Sequence, residues 1–148
     1  FGCQDALVST TGVVVGVNAA VSDKRFVLLT AIITIMVEAL SMSAGQYLSE
    51  KTIHDMPNNH HKDNLFLGGF IMFVAYILGG LIPVLPVLFF SGPIVSLLSV
   101  LGSFFGLFVL GYMKAKLFFG NPLRSSFEML IIGGLAVLMG LWVGRYVK

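Results

Sequence analysis

Long apolar segments separated by short charged or polar clusters make up almost all of this 148-residue chain. A helix needs about 20 apolar residues to cross a membrane, at about 1.5 Å per residue. The uncharged stretch 65–113 is too long for one such helix, and Ser91-Gly92-Pro93 is its best break, since Gly and Pro together disfavour helix continuation. The pattern therefore predicts five membrane-spanning helices, at about 1–22, 26–49, 65–85, 93–113 and 125–145.

Composition supports this interpretation. Hydrophobic residues make up 57% of the chain and charged residues 11%, whereas roughly 25% charged is usual in a soluble domain. We therefore expect an all-α, multi-pass integral membrane protein in which residues 1–148 form a single transmembrane domain within the lipid bilayer. The net charge of +2 includes no basic run, which argues against a nucleic-acid partner. Because Phe1 lies inside the apolar pattern, we also expect native residues to be missing before it.

Small and polar residues form a stripe on each of the first two predicted helices. At 3.6 residues per turn, the first stripe contains Gly2, Asp5, Ser9, Gly12, Gly16 and Ala20. The second contains Thr30, Thr34, Glu38, Ser41, Met42, Gly45 and Ser49. A face this small and polar should meet protein or water rather than lipid. We expect the two stripes to face each other or one shared cavity.

Asp5 and Glu38 are the informative members, because a carboxylate at the bilayer centre costs roughly 2.5 to 3.5 kcal/mol on insertion scales. Counting from the turn between the helices places Asp5 level with Met42, and Ser9 level with Glu38 about 6 Å nearer the middle. Carboxylates offset the desolvation of a dication, and a thioether favours a transition metal. We predict a path for a divalent cation with metal ligands at Asp5, Glu38 and Met42, and the two carboxylates could also carry protons in the return direction. The residues expected to line the cation path without being its main ligands are Ser9, Thr34, Ser41 and Gln46.

Each of these residues also has a purely structural interpretation. Met42 is suited to core packing, membrane Ser and Thr residues often bond their own helix, and Asp5 could be interfacial. Gly12 and Gly16 form a small-xxx-small pair whose ordinary role is helix packing. A polar segment after the second helix offers possible metal collection through His54, His60 and His61. A solvated loop is the favoured interpretation, because adjacent His residues in a loop rich in Pro and Asn have no fixed ligand geometry.

The sequence resembles the vacuolar iron transporter family. The resemblance is carried by Asp5-Ala6-Leu7-Val8-Ser9-Thr10-Thr11-Gly12 with Gly16, and by Ala39-Leu40-Ser41-Met42-Ser43-Ala44-Gly45-Gln46-Tyr47. Later matches are Leu81-Ile82-Pro83, Lys114-Ala115-Lys116, and Pro122-Leu123-Arg124-Ser125 through Gly133-Gly134-Leu135. It implies five-helix homodimers that exchange Fe(II), and often Mn(II), for protons along a path between protomers. It also implies that Asp5 and Met42 line that path.

The chain departs from this family pattern at several positions. The second-helix glutamate of the family falls at Thr34, whereas Glu38 stands one helical turn closer to Met42. Gln46 stands where many members have Glu. Only a short His-containing segment occupies the place of the Glu-rich cytoplasmic metal-binding domain, so the chain resembles a short member without that domain.

We therefore expect proton-coupled transport of a divalent transition metal, with Fe(II) or Mn(II) as substrate and no permanently bound cofactor. The membrane would be vacuolar in a eukaryotic host and the plasma membrane in a prokaryotic one. One alternative is a non-transporting membrane assembly protein in which the stripes only pack helices. A membrane-embedded metalloenzyme is disfavoured, because the predicted spans contain no His and no nucleophile–base pair.

Overall fold

Five α-helices form the described part of this chain in a computed structural model that describes residues 1–21, 23–56, 64–118 and 121–146. The helices are α1 (Gly2–Ala20), α2 (Lys24–His54), α3 (Leu65–Phe89), α4 (Pro93–Leu117) and α5 (Pro122–Tyr146). The predicted all-helical architecture is confirmed. Four of the helices, α2 to α5, are long and apolar enough to cross a membrane, so the protein is an integral, multi-pass membrane protein.

The boundary between α3 and α4 lies where the sequence predicted it. Gly92 has φ of +80°, a left-handed conformation that favours glycine, and Pro93 is the first residue of α4. Pro122 opens α5 in the same way, because proline lacks the backbone N–H that a first helical residue leaves unbonded. The side chain of Asp23 caps α2 by accepting a hydrogen bond from the Arg25 N–H at 2.9 Å.

Helices α2 to α5 all extend beyond the predicted spans, and α4 ends at Leu117 rather than near residue 113. The span predicted to end at residue 49 continues as α2 to His54, because charged side chains at a helix end can point into water while the backbone remains helical. The third helix passes through Pro83 and Pro86 and ends at Phe89 rather than near residue 85. Proline is tolerated within membrane helices because neighbouring helices and side chains compensate for the lost backbone bond.

Helix α1 is the centre of the assembly and contacts all four other helices. Neighbours α2, α3, α4 and α5 surround it in that order, since α2 packs on α3, α3 on α4, and α4 on α5. Among the described residues α2 and α5 do not pack against each other. The four outer helices therefore form an incomplete ring with an opening between α2 and α5, and α1 lies at the base of that opening. This central place lets α1 bury polar residues such as Thr10 and Thr11 against protein rather than lipid.

Hydroxyl and amide side chains tie the neighbours together inside the bundle. Thr11 on α1 donates to Ser103 on α4 at 2.6 Å, and Ser99 on α4 donates to the Pro83 carbonyl on α3 at 2.7 Å. Asn18 bonds the Ser96 hydroxyl at 2.8 Å near the α3–α4 turn. Such interhelical bonds contribute about 0.6 kcal/mol each on average in membrane proteins. The bonds of Thr11 and Asn18 fix the rotation of α1, and hence the direction in which its remaining polar residues point.

Candidate metal path

Glu38 is held by two hydroxyl groups at the seam between α1, α2 and α3. Ser9 on α1 donates a hydrogen bond to Glu38 Oε2 at 2.8 Å. The Tyr76 hydroxyl on α3 donates to the same oxygen, and the Ser9 and Tyr76 oxygens are 2.7 Å apart. The three side chains thus form a closed triangle that joins three helices. The common depth predicted for Ser9 and Glu38 agrees with this contact.

Small residues bring the three helices close enough for the triangle to form. Ala6 on α1, Ala39 on α2 and the Tyr76 ring on α3 are fully buried in one cluster. On α3, a Cβ at Gly79 would lie 2.7 Å from the Cys3 carbonyl oxygen, and one at Gly80 would lie 2.7 Å from Ile35 Cγ1. A side chain at Gly79 would have to move the backbone of α1, and one at Gly80 would have to displace the Ile35 side chain.

Asp5 and Met42 lie beside this triangle. Asp5 is half-buried, and its charge is close enough to act on both Glu38 and Tyr76. Met42 is half-buried and packs against the cluster of Ala6, Ala39 and Tyr76. Two carboxylates, a thioether and two hydroxyls therefore surround one short length of the α1–α2–α3 seam. We refer to Asp5, Ser9, Glu38, Met42 and Tyr76 as the polar seam.

The secondary residues predicted along α2 have different surroundings. Gln46 donates to Glu50 Oε1 at 2.7 Å, and the Glu50 carboxylate lies against Gly68 on α3. Thr34 is half-buried, and Ser41 is exposed on the surface of the single chain. Of these three α2 residues, only Gln46 forms a described hydrogen bond to a side chain that could bind a metal, the Glu50 carboxylate.

The three predicted loop histidines fall partly outside the described residues. His54 is the last residue of α2 and is exposed. His60 and His61 lie outside the described ranges. Within those ranges, the chain gathers no group of three or more His, Cys, Asp or Glu side chains that could hold a metal ion.

The stripe predicted on α1 does not face α2 along its whole length. A Cβ at Gly16 would lie 2.8 Å from the Gly140 carbonyl oxygen on α5, and a Cβ at Gly12 would lie 3.3 Å from that of Ala136. A Cβ at Gly140 or Gly144 would overlap a carbonyl group of α1. Gly12 and Gly16 therefore pack against α5 rather than facing α2, and this contact agrees with the helix-packing role predicted for the pair.

An open groove of about 560 Å³ lies along α1 and α5, beside the gap in the ring. Its lining is almost entirely apolar and includes Val13 and Val17 on α1 and Met139 and Val143 on α5. Ser9 lines the same groove and also bonds Glu38, so it stands at the border between the groove and the polar seam.

Comparison with known proteins decides the family. A model of the VIT family matches residues 1–65 and 54–145, which together cover nearly the whole chain. The chain belongs to the VIT family. Vacuolar iron transporter 1 of Arabidopsis thaliana is 35% identical over 80 residues, which are 53% of this chain and 32% of that protein. The chain thus matches about a third of the length of this VIT-family relative, and the resemblance found in the sequence is confirmed.

Tyr76 is the member of the polar seam that the sequence did not predict. It lies in the uncharged stretch 65–113, where an aromatic residue is usually core or lipid-facing. Two signals were available: a buried tyrosine hydroxyl usually finds a hydrogen-bond partner, and Glu38 has no basic residue near its own depth in the predicted spans to pair with. Neither signal specified that the two residues would meet, because that depends on how α2 and α3 pack.

Proposed function

We propose that this VIT-family protein transports a divalent transition metal across a membrane in exchange for protons, with Fe(II) as substrate and Mn(II) as a second one. The observation that carries the proposal is the half-buried Glu38 carboxylate in the polar seam of a membrane protein. Ionisable residues in membrane spans are costly and usually mark ion or proton pathways. The name of the Arabidopsis thaliana relative supports iron as the substrate.

The chemistry of the polar seam suits such a cation. The carboxylates of Asp5 and Glu38 compensate two positive charges in a region of low dielectric constant. The Met42 thioether is a soft ligand, which favours a transition metal over Mg(II) or Ca(II). Ser9 and Gln46 contribute neutral oxygen atoms that can bind the cation or its remaining water. We infer that the metal passes the level of Glu38 by exchanging ligands along α2.

Protons are the natural counter-ions for this site. A carboxylate binds a metal as an anion, and a proton can neutralise the same oxygen atoms once the metal has left. Metal and proton then compete for Asp5 and Glu38, so that an inward gradient of one can drive the other outward. A pH gradient should therefore drive metal movement without another energy source.

We propose that the functional unit is a homodimer formed across the opening between α2 and α5. The groove there is apolar, lies on the central helix and borders Ser9, so a second copy would cover it and add its own polar residues beside the path. One protomer offers too few strong ligands to surround a dication, and the partner or water would supply the rest. In a eukaryotic host we expect the vacuolar membrane, and in a prokaryotic host the plasma membrane.

Metal uptake into liposomes containing the full chain tests this proposal. With Mn(II) outside and a pH gradient imposed, we expect uptake that stops when the gradient is dissipated. Asp5→Asn and Met42→Ala should lower uptake at least tenfold, because each removes a ligand. Met36→Ala is the matched control on α2, since Met36 is exposed and outside the polar seam.

Absence of uptake by the unmodified protein would contradict transport. Uptake that does not depend on the pH gradient would contradict proton coupling but not transport. If uptake by Asp5→Asn and Met42→Ala both matches uptake by Met36→Ala, the polar seam is not the metal path and the ligand assignments fail.

A further inference from the structure

We propose that Tyr76, together with Ser9, determines metal specificity by occupying one oxygen of Glu38, so that this carboxylate offers a cation only its other oxygen. The effect is to exclude Ca(II). This inference rests on the proposed function, because it assigns a role within the same metal site. Tyr76 is here a positioning residue that acts through Glu38.

The first step of the argument is the shared acceptor. Both Ser9 and Tyr76 bond Glu38 Oε2. A carboxylate oxygen has about two lone pairs in its plane, so two hydroxyl donors saturate Oε2. Each hydroxyl carries one proton, and we infer that both protons are donated to Oε2 when Glu38 is an anion, so that the 2.7 Å contact between the Ser9 and Tyr76 oxygens has no proton of its own. Oε1 is then the oxygen available to a metal.

The second step is that the arrangement is rigid. Tyr76 has 0% relative exposure, and its ring is packed among Ala6 and Ala39. The ring cannot swing away without opening a cavity between three helices. Ser9 is fixed through its backbone on α1, which contacts every other helix. The hydroxyls therefore hold the Glu38 carboxylate in one orientation while the cation changes.

The third step is the difference between the cations. Ca(II) takes six to eight oxygen ligands and often binds carboxylates through both oxygens. Transition metals bind fewer ligands and accept softer ones, such as a thioether. A carboxylate restricted to one oxygen beside Met42 thus disfavours Ca(II) more than Mn(II) or Fe(II). Removing the Tyr76 hydroxyl should release Oε2 and weaken this discrimination.

The test compares the full-length protein with Tyr76→Phe in liposomes, using Mn(II) uptake and its inhibition by Ca(II). Phenylalanine keeps the buried ring and removes only the hydroxyl. We expect about tenfold stronger inhibition by Ca(II), together with a KM for Mn(II) that rises several-fold because Glu38 is less well oriented. Ser9→Ala should change the inhibition in the same direction by a smaller factor. Tyr112→Phe is the control, since Tyr112 is an exposed tyrosine on α4.

A second measurement does not depend on transport. The separation of the carboxylate stretching bands in metal-induced infrared difference spectra distinguishes binding through one oxygen from binding through two. Glu38→Gln identifies the relevant bands. We expect binding through one oxygen in the unmodified protein with Mn(II), and binding through two in Tyr76→Phe with Ca(II).

The outcomes separate this inference from the proposed function. If the unmodified protein takes up no metal, the proposed function fails, and the infrared bands still decide how Glu38 binds a cation. If uptake occurs but Tyr76→Phe and Tyr112→Phe show the same Ca(II) inhibition, the specificity role is wrong. A parallel loss of uptake with an unchanged ratio of Ca(II) to Mn(II) affinity would show a structural role only and would also overturn the inference.

Discussion

Two faces of helix α1 differ in the role of their small and polar residues. Toward α2 and α3 it presents Asp5 and Ser9, which lie beside or bond Glu38. Toward α5 it presents Gly12 and Gly16, whose backbone touches the backbone of the facing helix. Both faces belong to one stripe in the sequence, yet the first carries hydrogen bonds and charge and the second carries close packing.

The difference shows how a membrane protein divides these tasks. Lipid tails are as apolar as the helices, so burial from water does not drive helices together and small residues that allow close contact do. The glycine face of α1 can therefore supply stability. The polar seam contains groups that are expensive to bury, and its hydrogen bonds chiefly offset that cost. We expect variants of the glycine face to change stability, and variants of the polar seam to change transport.

The largest expected effect on stability is at Gly144. A Cβ there would overlap the Gly16 carbonyl group, so Gly144→Ala must push α5 away from α1 and should lower the free energy of unfolding by about 2 kcal/mol. Gly134→Ala is the matched control on the same helix, because its Cβ would lie 3.8 Å from the nearest atom, Phe104 Cζ. Denaturant titration in mixed micelles measures both. Equal stabilities would show that the glycine face is not a tight contact.

A smaller effect on stability is expected at the polar seam. Ser9→Ala removes one interhelical hydrogen bond, worth about 0.6 kcal/mol on average in membrane proteins, and leaves the packing of Ala6 and Ala39 intact. The same titration should give a loss below about 1 kcal/mol. A loss as large as that of Gly144→Ala would contradict the division between the two faces, since the seam would then be a main source of stability.

Much of the fold could be predicted from the sequence, for identifiable reasons. Five helices follow from the spacing of charged clusters, and the break at Gly92 and Pro93 follows from backbone conformation. The ends of α2 and α3 were less predictable. Charged residues can continue a helix into water, and prolines such as Pro83 can be accommodated by neighbouring helices.

The candidate site was predicted only in part. Periodicity placed Asp5, Ser9 and Glu38 on helix faces, and counting from the turn matched the depths of Ser9 and Glu38. Periodicity does not reveal which neighbouring helix a face contacts, so the packing of Gly12 and Gly16 against α5 rather than α2 was not predicted. Tyr76 was missed because its partner lies on another helix, at a distance of 38 residues in the chain.

The central claim is that Glu38 carries the chemistry of transport while the bundle stays folded around it. The most direct test is Mn(II) uptake by Glu38→Gln in liposomes under a pH gradient, compared with Glu128→Gln, which alters an exposed carboxylate on α5. Glutamine keeps the size of the side chain and can still accept the bonds of Ser9 and Tyr76. The account predicts that Glu38→Gln lowers uptake at least a hundredfold while Glu128→Gln leaves it unchanged. Uptake by folded Glu38→Gln within twofold of the unmodified protein would contradict the account.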